Sequence, residues 1–383
     1  MLYEIVHHFP KDMNFIKESP LISLYQPTHR SFPENKQDPI VFKNLLRVIE
    51  NSLEQLPNFD LISTIMKPLY EIKEDKEFWN HTSEGIAVFA CLNKCIVYNL
   101  NNPVKELAVV ANSFHIKPLI KAFQSTENYQ LLGVSRENFI LYQGNRHGFK
   151  EIEIDQDVPR TMKEVLGDQL TDSYLSHASY AGTGNPAMYH GHGDIKQETD
   201  KDTEKYFRYV DSYVFENHSK PSKLPLILIS LKEHRSEFKK ISNNPYLLEA
   251  GISKSIESLD LDEIQRSVRT IIEAINTEKV QRIAEACAKA EADALGSSDL
   301  AQIAKAAYEN RIETMLIEED KIVPGKIDAG TGKIERGDLE HPDYDDILDD
   351  LAEIVLSSGG DVFVLSKDQI PGGTGIAAIF RYV

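Results

Sequence analysis

Apolar residues recur along this chain with two periods, and the switches between them mark its elements. Leu21-Ile22-Ser23-Leu24-Tyr25 alternates as a strand does and is stopped by Pro27. After a turn-rich stretch to Pro39, Phe42, Leu45, Leu46, Ile49 and Leu53 share one face, which predicts a helix over about residues 40–56. Residues 85–90 and 95–100 read as two strands joined by the turn Leu92-Asn93-Lys94, and a helix is expected over 116–123.

Residues 130–135 and 138–145 predict a hairpin through Arg136-Glu137, with a third strand expected over 150–154. From Tyr174 to Asp194 the periodicity is lost to Gly, Ser, His and Tyr, so a long loop is expected over 174–199. A helix is expected from about residue 200 to 216, with Tyr206, Val210, Tyr213 and Val214 on one face. A buried strand over 224–231 and a helix near 233–240 follow.

Asp260, with Glu263 three residues on, is a capping signal. It opens an expected helix to about residue 294, carried by Leu261, Ile264, Val268, Ile271, Ile272 and Ile275. Beyond it the pattern predicts a helix after Asp299, a strand over 312–317 and an exposed hairpin turning at Gly330-Thr331-Gly332. A helix near 344–356 and strands over 361–365 and 375–382 complete the chain. Alternation of helix and strand makes the fold class α/β. We expect three α/β domains, 1–126, 127–259 and 260–383, the central one with a mixed sheet and a long glycine- and histidine-rich loop.

Composition adds limits. The 383 residues are 41% hydrophobic and 27% charged, as in an ordinary globular protein, and suffice for several cores. No apolar run approaches the roughly 18 residues of a membrane helix, and Met1–Pro10 lacks a signal-peptide core. A cytoplasmic protein without a membrane partner is expected. Cys91, Cys95 and Cys287 suit a reducing compartment and are expected to be buried apolar groups. Net charge is −18, of which residues 293–383, with 19 acids and 8 bases, supply −11. Such a segment repels phosphate. It argues against a simple nucleic-acid binder, with DNA not expected as a partner, and favours a C-terminal domain that stays solvated or meets a basic protein surface.

Three clusters offer chemistry. In the central loop, glycines 182, 184, 191 and 193 permit close backbone approach, and Tyr180, Tyr189, His190 and His192 offer planes on which unpaired RNA bases stack. The same loop also reads as a plain surface loop. His190, His192 and Asp194, with His177, carry donors that zinc accepts, but the flanking glycines give them no rigid support, so no metal is expected. In Gln26-Pro27-Thr28-His29-Arg30, His29 and Arg30 sit at a sheet edge. There Arg30 either grips phosphate or pairs with a neighbouring carboxylate. Lys232, Arg235 and Lys239 share one helix face, which either meets RNA phosphate or is simply solvated. The chain has no phosphate-binding Gly-x-x-x-x-Gly-Lys-Ser/Thr, no Gly-x-Ser-x-Gly and no His-Glu-x-x-His. No cofactor is expected.

The last quarter carries a resemblance. Gly359-Gly360 runs into Asp361–Leu365, and Gly373-Thr374-Gly375-Ile376-Ala377-Ala378-Ile379-Phe380-Arg381-Tyr382 closes the chain. This resembles the end of the C-terminal domain of Pelota and the eukaryotic-type class-1 release factors, with Phe380 standing where the family has leucine. Both Gly359 and Gly360 are expected at positive φ. The central segment, from Asn112-Ser113-Phe114-His115 to Gln143-Gly144-Asn145, is similar to the family's central domain, and the whole looks closest to the family's bacterial group.

The resemblance implies a C-terminal α/β sandwich like that of Pelota and a ribosome-binding translation factor. It places the first domain in the decoding region of the A site, with rRNA and tRNA as the RNA met there. It turns the 180–194 loop toward the peptidyl-transferase centre, and the C-terminal domain toward the ribosomal stalk base or a GTPase such as elongation factor Tu. Where release factors carry Gly-Gly-Gln this chain has His190-Gly191-His192-Gly193-Asp194, and it has no Asn-Ile-Lys-Ser. Hibernation or rescue is therefore expected without stop-codon-dependent peptide release. The alternative is a peptidyl-tRNA or RNA hydrolase using His190, His192 and Asp194 as acid and base.

Overall fold

The computed structural model describes residues 2–6, 9, 20–54, 59–125, 128–145, 148–167, 192–258, 260–328, 331–337 and 344–382, excluding the side chains of 59–61, 192–197 and 257. The N-terminal segment holds β1 (Glu4–Val6), β2 (Leu21–Pro27), α1 (Asp38–Leu53), α2 (Phe59–Glu74), α3 (Lys76–Asn80), β3 (Gly85–Ala90), β4 (Cys95–Leu100), β5 (Leu107–Ala111) and α4 (Lys117–Gln124). Its strands form one sheet in the order β1-β4-β3-β2-β5, antiparallel except where β1 meets β4. The strand alternation divides the apolar residues between two faces. Ile22, Leu24, Ile86, Val88 and Val97 pack against Phe42, Leu46 and Ile49 of α1 and Ile65, Leu69 and Ile72 of α2. Tyr25, Ala87, Phe89 and Tyr98 face the other way, toward Leu119 and Ile120 of α4.

The central segment holds β6 (Tyr129–Val134), β7 (Phe139–Asn145), β8 (Gly148–Glu151), α5 (Met162–Leu166), α6 (His192–Val214), α7 (Lys220–Ser222), β9 (Leu226–Ile229), α8 (Lys232–Ile241) and β10 (Leu247–Ile252). The sheet order is β10-β9-β6-β7-β8, with β10, β9 and β6 parallel and β7 and β8 antiparallel, so the sheet is mixed. Between α6 and α7 a π turn, Phe215–Ser219, brings Ser219 to a buried chain of hydrogen bonds. Its hydroxyl donates to Gln130 Oε1 at 3.3 Å and accepts from Asn244 Nδ2 at 3.0 Å. A buried polar network of this kind is favourable only when its members find partners.

A 32-residue helix, α9 (Leu261–Ala292), leads into β11 (Gly296–Ser297), α10 (Leu300–Tyr308), β12 (Ile312–Glu318), β13 (Pro324–Ile327), β14 (Ile334–Arg336), β15 (Asp345–Asp346), α11 (Ile347–Ser357), β16 (Asp361–Leu365) and β17 (Ile376–Phe380). A four-stranded sheet, β11-β17-β12-β16, and a small sheet, β14-β13-β15, result. The fold is thus mixed α/β with a principal sheet in each of three segments. Contacts gather the chain into two compact units, one of residues 1–125 with 277–383 and the other of 126–276. The division falls inside α9. Ile264, Val268 and Ile272 pack on Tyr129, Leu131, Ile227 and Ile229, and Cys287, with Val280 and Ile283, packs on Leu316, Leu365 and Ala377.

Two local expectations change. Gly359 does take φ 74°, but Gly360 has no positive φ. Its requirement is space, since a Cβ there would stand 2.7 Å from Val355 Cγ1 and 2.9 Å from the Ile312 carbonyl. In addition α6 starts at His192, inside the stretch expected to be loop through residue 199. His192 and Asp194 therefore have helical backbone.

Candidate functional site

The His29–Arg30 turn is built from the end of β2 outward. Gln26 is fully buried and its amide donates to the Asp38 carbonyl at 2.8 Å. Thr28 donates its hydroxyl to the Ser83 carbonyl at 3.0 Å. Asp38, the first residue of α1, accepts from the His29 backbone N–H at 2.8 Å through Oδ2 and faces His29 Nδ1 at 2.8 Å through Oδ1. Arg30 Nε meets Glu84 Oε1 at 3.1 Å. Of the two uses open to Arg30, this geometry is the carboxylate pairing.

In the helix α8, the face carrying Arg235 and Lys239 turns onto β10. Arg235 donates to Ser253 Oγ at 2.9 Å and to the Glu249 carbonyl at 2.7 Å. Lys239 meets Glu249 Oε2 at 2.6 Å and holds that carboxyl below its usual range. Gly251 has no room for a side chain, because a Cβ there would sit 2.6 Å from the Leu228 carbonyl oxygen and 3.2 Å from Arg235 Nε. Lys232 is exposed. The opposite side of α8 borders a recess of about 320 Å³ lined by Asp200, Lys201, Glu204, Phe207, Glu237 and Lys240. Three carboxylates against two ammonium groups leave it at net −1, so it does not favour an anion.

Tyr180, Tyr189, His190 and His177 lie outside the described residues, as do the side chains of His192 and Asp194. Nothing of their geometry enters the site.

The most concentrated electrostatics belongs to a cluster that sequence reasoning missed. It joins α4 to α11 within one compact unit. Asp349 is 2% exposed and its carboxylate accepts the Ile116 N–H at 3.0 and 2.9 Å and the Lys117 N–H at 2.8 Å, capping the start of α4 from another element. Lys117 places its ammonium against Asp346 Oδ2 and donates to the Lys321 carbonyl at 2.7 Å. Asp346 in turn caps α11 at Leu348 N and accepts Val323 N at 2.9 Å. The Ser113 hydroxyl lies 2.6 Å from Asp350 Oδ1 and 3.2 Å from Asp345 Oδ2.

Burial dominates the titration of this cluster. It pushes Asp349 up to about 8 against the opposing pull of the Ile116 N–H, and Asp350 up to about 8 against the Ser113 hydroxyl. His115, 3.7 Å from Asp349, is lowered by burial and then by the Lys117 charge. Farther along α4, Gln124 donates to the Val364 carbonyl at 2.7 Å and accepts the Val364 N–H at 2.8 Å, so its amide completes the open edge of β16. These groups clamp and orient the two helices. In the sequence the only trace was the run Asp345-Asp346-Ile347-Leu348-Asp349-Asp350, which falls at the start of the helix expected near 344–356 and reads as solvated acids.

Residues 127–274 match the family described as bacterial archaeo-eukaryotic release factor family 6. Over this segment the chain is similar to a bacterial archaeo-eukaryotic release factor domain. The match covers β6 to the first half of α9, the segment whose mixed sheet is described above. No curated protein matches the chain. Among solved structures, the archaeal translation termination factor aRF1 is 14% identical, with 95% of this chain and 93% of that one covered and a TM-score of 0.22. Archaeal Pelota, in the structure titled as ribosome-bound with ABCE1, is 13% identical over 76% of this chain and 73% of its own, with a TM-score of 0.41. Dom34 of S. cerevisiae, described as a translation termination-like factor that interacts with Hbs1, is 14% identical over 76% and 74%, with a TM-score of 0.39. A release-factor-like domain suggests a translation-associated factor. No helix among the described residues is long and apolar enough to cross a membrane.

Proposed function

We propose that this chain is a cytoplasmic ribosome-binding factor that occupies the A site in hibernation or rescue and does not release peptide at stop codons. The observation that carries the reading is a release factor family domain over residues 127–274 in a chain that has no Gly-Gly-Gln. The chain-end pattern from Gly359 to Tyr382 supports it independently, because it lies outside the matched segment.

In this reading segment 1–126 enters the decoding region, 127–259 carries the 174–199 stretch toward the peptidyl-transferase centre, and 260–383 meets the stalk base or a GTPase such as elongation factor Tu. The charge supports the last assignment, since −11 of the net −18 lies beyond residue 292 and suits a basic protein surface. The RNA contacts come from the other two segments, with His29 and Lys232 among the side chains offered. Sedimentation of the purified chain with ribosomes through a sucrose cushion tests the proposal. Stoichiometric pelleting that an A-site tRNA displaces is the expected result, and a chain left wholly in the supernatant removes it.

A further inference from the structure

The outer face of α1, every residue of which is described, has an unusual charge distribution for this protein. Its exposed positions are Ile40, Lys43, Asn44, Arg47, Val48 and Asn51. No carboxylate is among them, in a chain with 60 acids and 42 bases. The two acids of α1 are accounted for elsewhere. Asp38 is buried against His29, and Glu50 accepts the Tyr70 hydroxyl. Glu74, the nearby acid on α2, is paired with Lys73 at 2.9 Å.

Directly before this face stands a turn that displays an aromatic ring. Phe32 is 70% exposed, the most open of the large apolar side chains described. The Lys36 ammonium lies 4.5 Å from its ring centroid. The turn is fixed from both sides. Asn35 N donates to the Ser31 carbonyl at 3.1 Å and Lys36 N to the Pro33 carbonyl at 3.2 Å, while His29 and Arg30 are held by Asp38 and Glu84. A lone exposed phenyl ring needs no explanation. One fixed at the head of a cationic, carboxylate-free helix face presents the two features that single-stranded nucleic acid takes, a stacking plane and a row of phosphate contacts.

We propose that Phe32, Lys36, Lys43 and Arg47 form an RNA-binding surface, with an unpaired base stacked on Phe32 and the phosphate backbone following α1. The inference deepens the ribosome reading and rests on it for the choice of RNA over other polyanions. Charge complementarity carries the choice of occupant: the outer face of α1 is cationic in a chain of net charge −18, with Glu34 in the turn the one exposed carboxylate between Phe32 and Asn51, so phosphate meets local attraction there.

The test uses the full chain and a short, unstructured, fluorescein-labelled RNA, with affinity read by anisotropy from about 50 mM to about 200 mM salt. Phe32→Ala should weaken binding roughly tenfold, the loss of one stacked base, with the salt slope unchanged. Lys43→Glu with Arg47→Glu should weaken it more and reduce the slope by about 1.4, two contacts at roughly 0.7 each. A control pair, Lys333→Glu with Lys367→Glu, makes the same change in net charge at exposed positions elsewhere and should leave affinity within twofold. All the substituted side chains are exposed, and circular dichroism confirms the fold. Equal loss in the control pair, or equal binding by all variants, overturns the inference, as does polyglutamate competing better than unlabelled RNA. Sedimentation with ribosomes, run on the same proteins, separates the two claims. Pelleting retained with unaltered RNA affinity in the variants ends this inference alone, and RNA loss in the variants without wild-type pelleting ends the ribosome reading alone.

Discussion

Lys117, in the first turn of α4, places its ammonium against the Asp346 carboxylate at the head of α11, with both side chains less than 5% exposed. The contact ties residues more than two hundred apart in sequence and is one of those that join the first and last segments. Breaking one half of a buried pair strands the other charge and typically costs about 3–5 kcal/mol. Lys117→Met should therefore lower stability by about that much in urea unfolding. Lys117→Met with Asp346→Asn should recover most of the loss, since no uncompensated charge remains and Asn still accepts from Val323 N. A double variant as unstable as the single one would show that packing, not charge, sets the cost.

Asp349 acts as a helix cap supplied from another element, with acceptors for the Ile116 and Lys117 N–H groups. Asp349→Ala removes them together and leaves two buried donors unpaired, which should cost about 2 kcal/mol, the upper end of the range for lost caps. Hydrogen exchange at Ile116 and Lys117 should accelerate with it. Protection unchanged at these amides would contradict the assignment.

The pH dependence follows from Asp350. Its folded pKa of about 8 stands above the ordinary 3.8, so the folded state binds the proton more tightly than the unfolded one. Stability from this group is full below the unfolded value and is lost as pH rises through the folded one. His115 works in the opposite sense, its lowered pKa making stability rise with pH up to its ordinary 6.5. Above that point the carboxylates act alone. The urea midpoint should therefore fall between about pH 6.5 and about pH 8.5, and Asp350→Asn should flatten about half of that fall, the rest belonging to Asp349. A profile with the same slope in the variant would place the proton elsewhere, on Asp349 or its neighbours.

The glycine pair before β16 separates conformational freedom from space. Gly359→Asn should be nearly neutral and Gly359→Ala should cost about 1 kcal/mol, because φ there is positive and a methyl group at that position would have nothing within 4 Å. Gly360→Ala should cost more, about 1–3 kcal/mol, since its methyl would meet Val355 and the Ile312 carbonyl. Thermal unfolding of the three variants checks the order.

Much of the secondary structure was legible because it is written in periodicity. The expected strands at 85–90, 95–100, 312–317 and 361–365 fall on β3, β4, β12 and β16, and the capping signal at Asp260 opens α9. Residues 57–84 suggested no element, because Pro68 inside α2 interrupts an otherwise regular pattern. Strand β10 was hidden as well, being a partly exposed edge strand whose Glu249 and Gly251 look like a turn. The site was less legible than the fold. His29, Arg30, Arg235 and Lys239 stand out as cations, but sequence gives no sign that Asp38, Glu84 and Glu249 come to meet them. Lys117 and the Asp345–Asp350 run are far apart in the chain, and only the tertiary packing of α4 on α11 turns two solvated-looking patterns into one buried cluster.

The hydrolase alternative has its own check. His190→Ala with His192→Ala should leave peptide release from peptidyl-tRNA at the background rate shown by the unaltered chain. Release above background that the double variant abolishes would assign these histidines a catalytic role.

A cryo-EM map of ribosomes incubated with the purified protein reads directly where the chain sits. Density is expected in the A site, with segment 1–126 at the decoding region and residues 127–259 reaching toward the peptidyl-transferase centre. An A site left empty at saturating protein, or the chain bound only at a distant ribosomal surface, would contradict it.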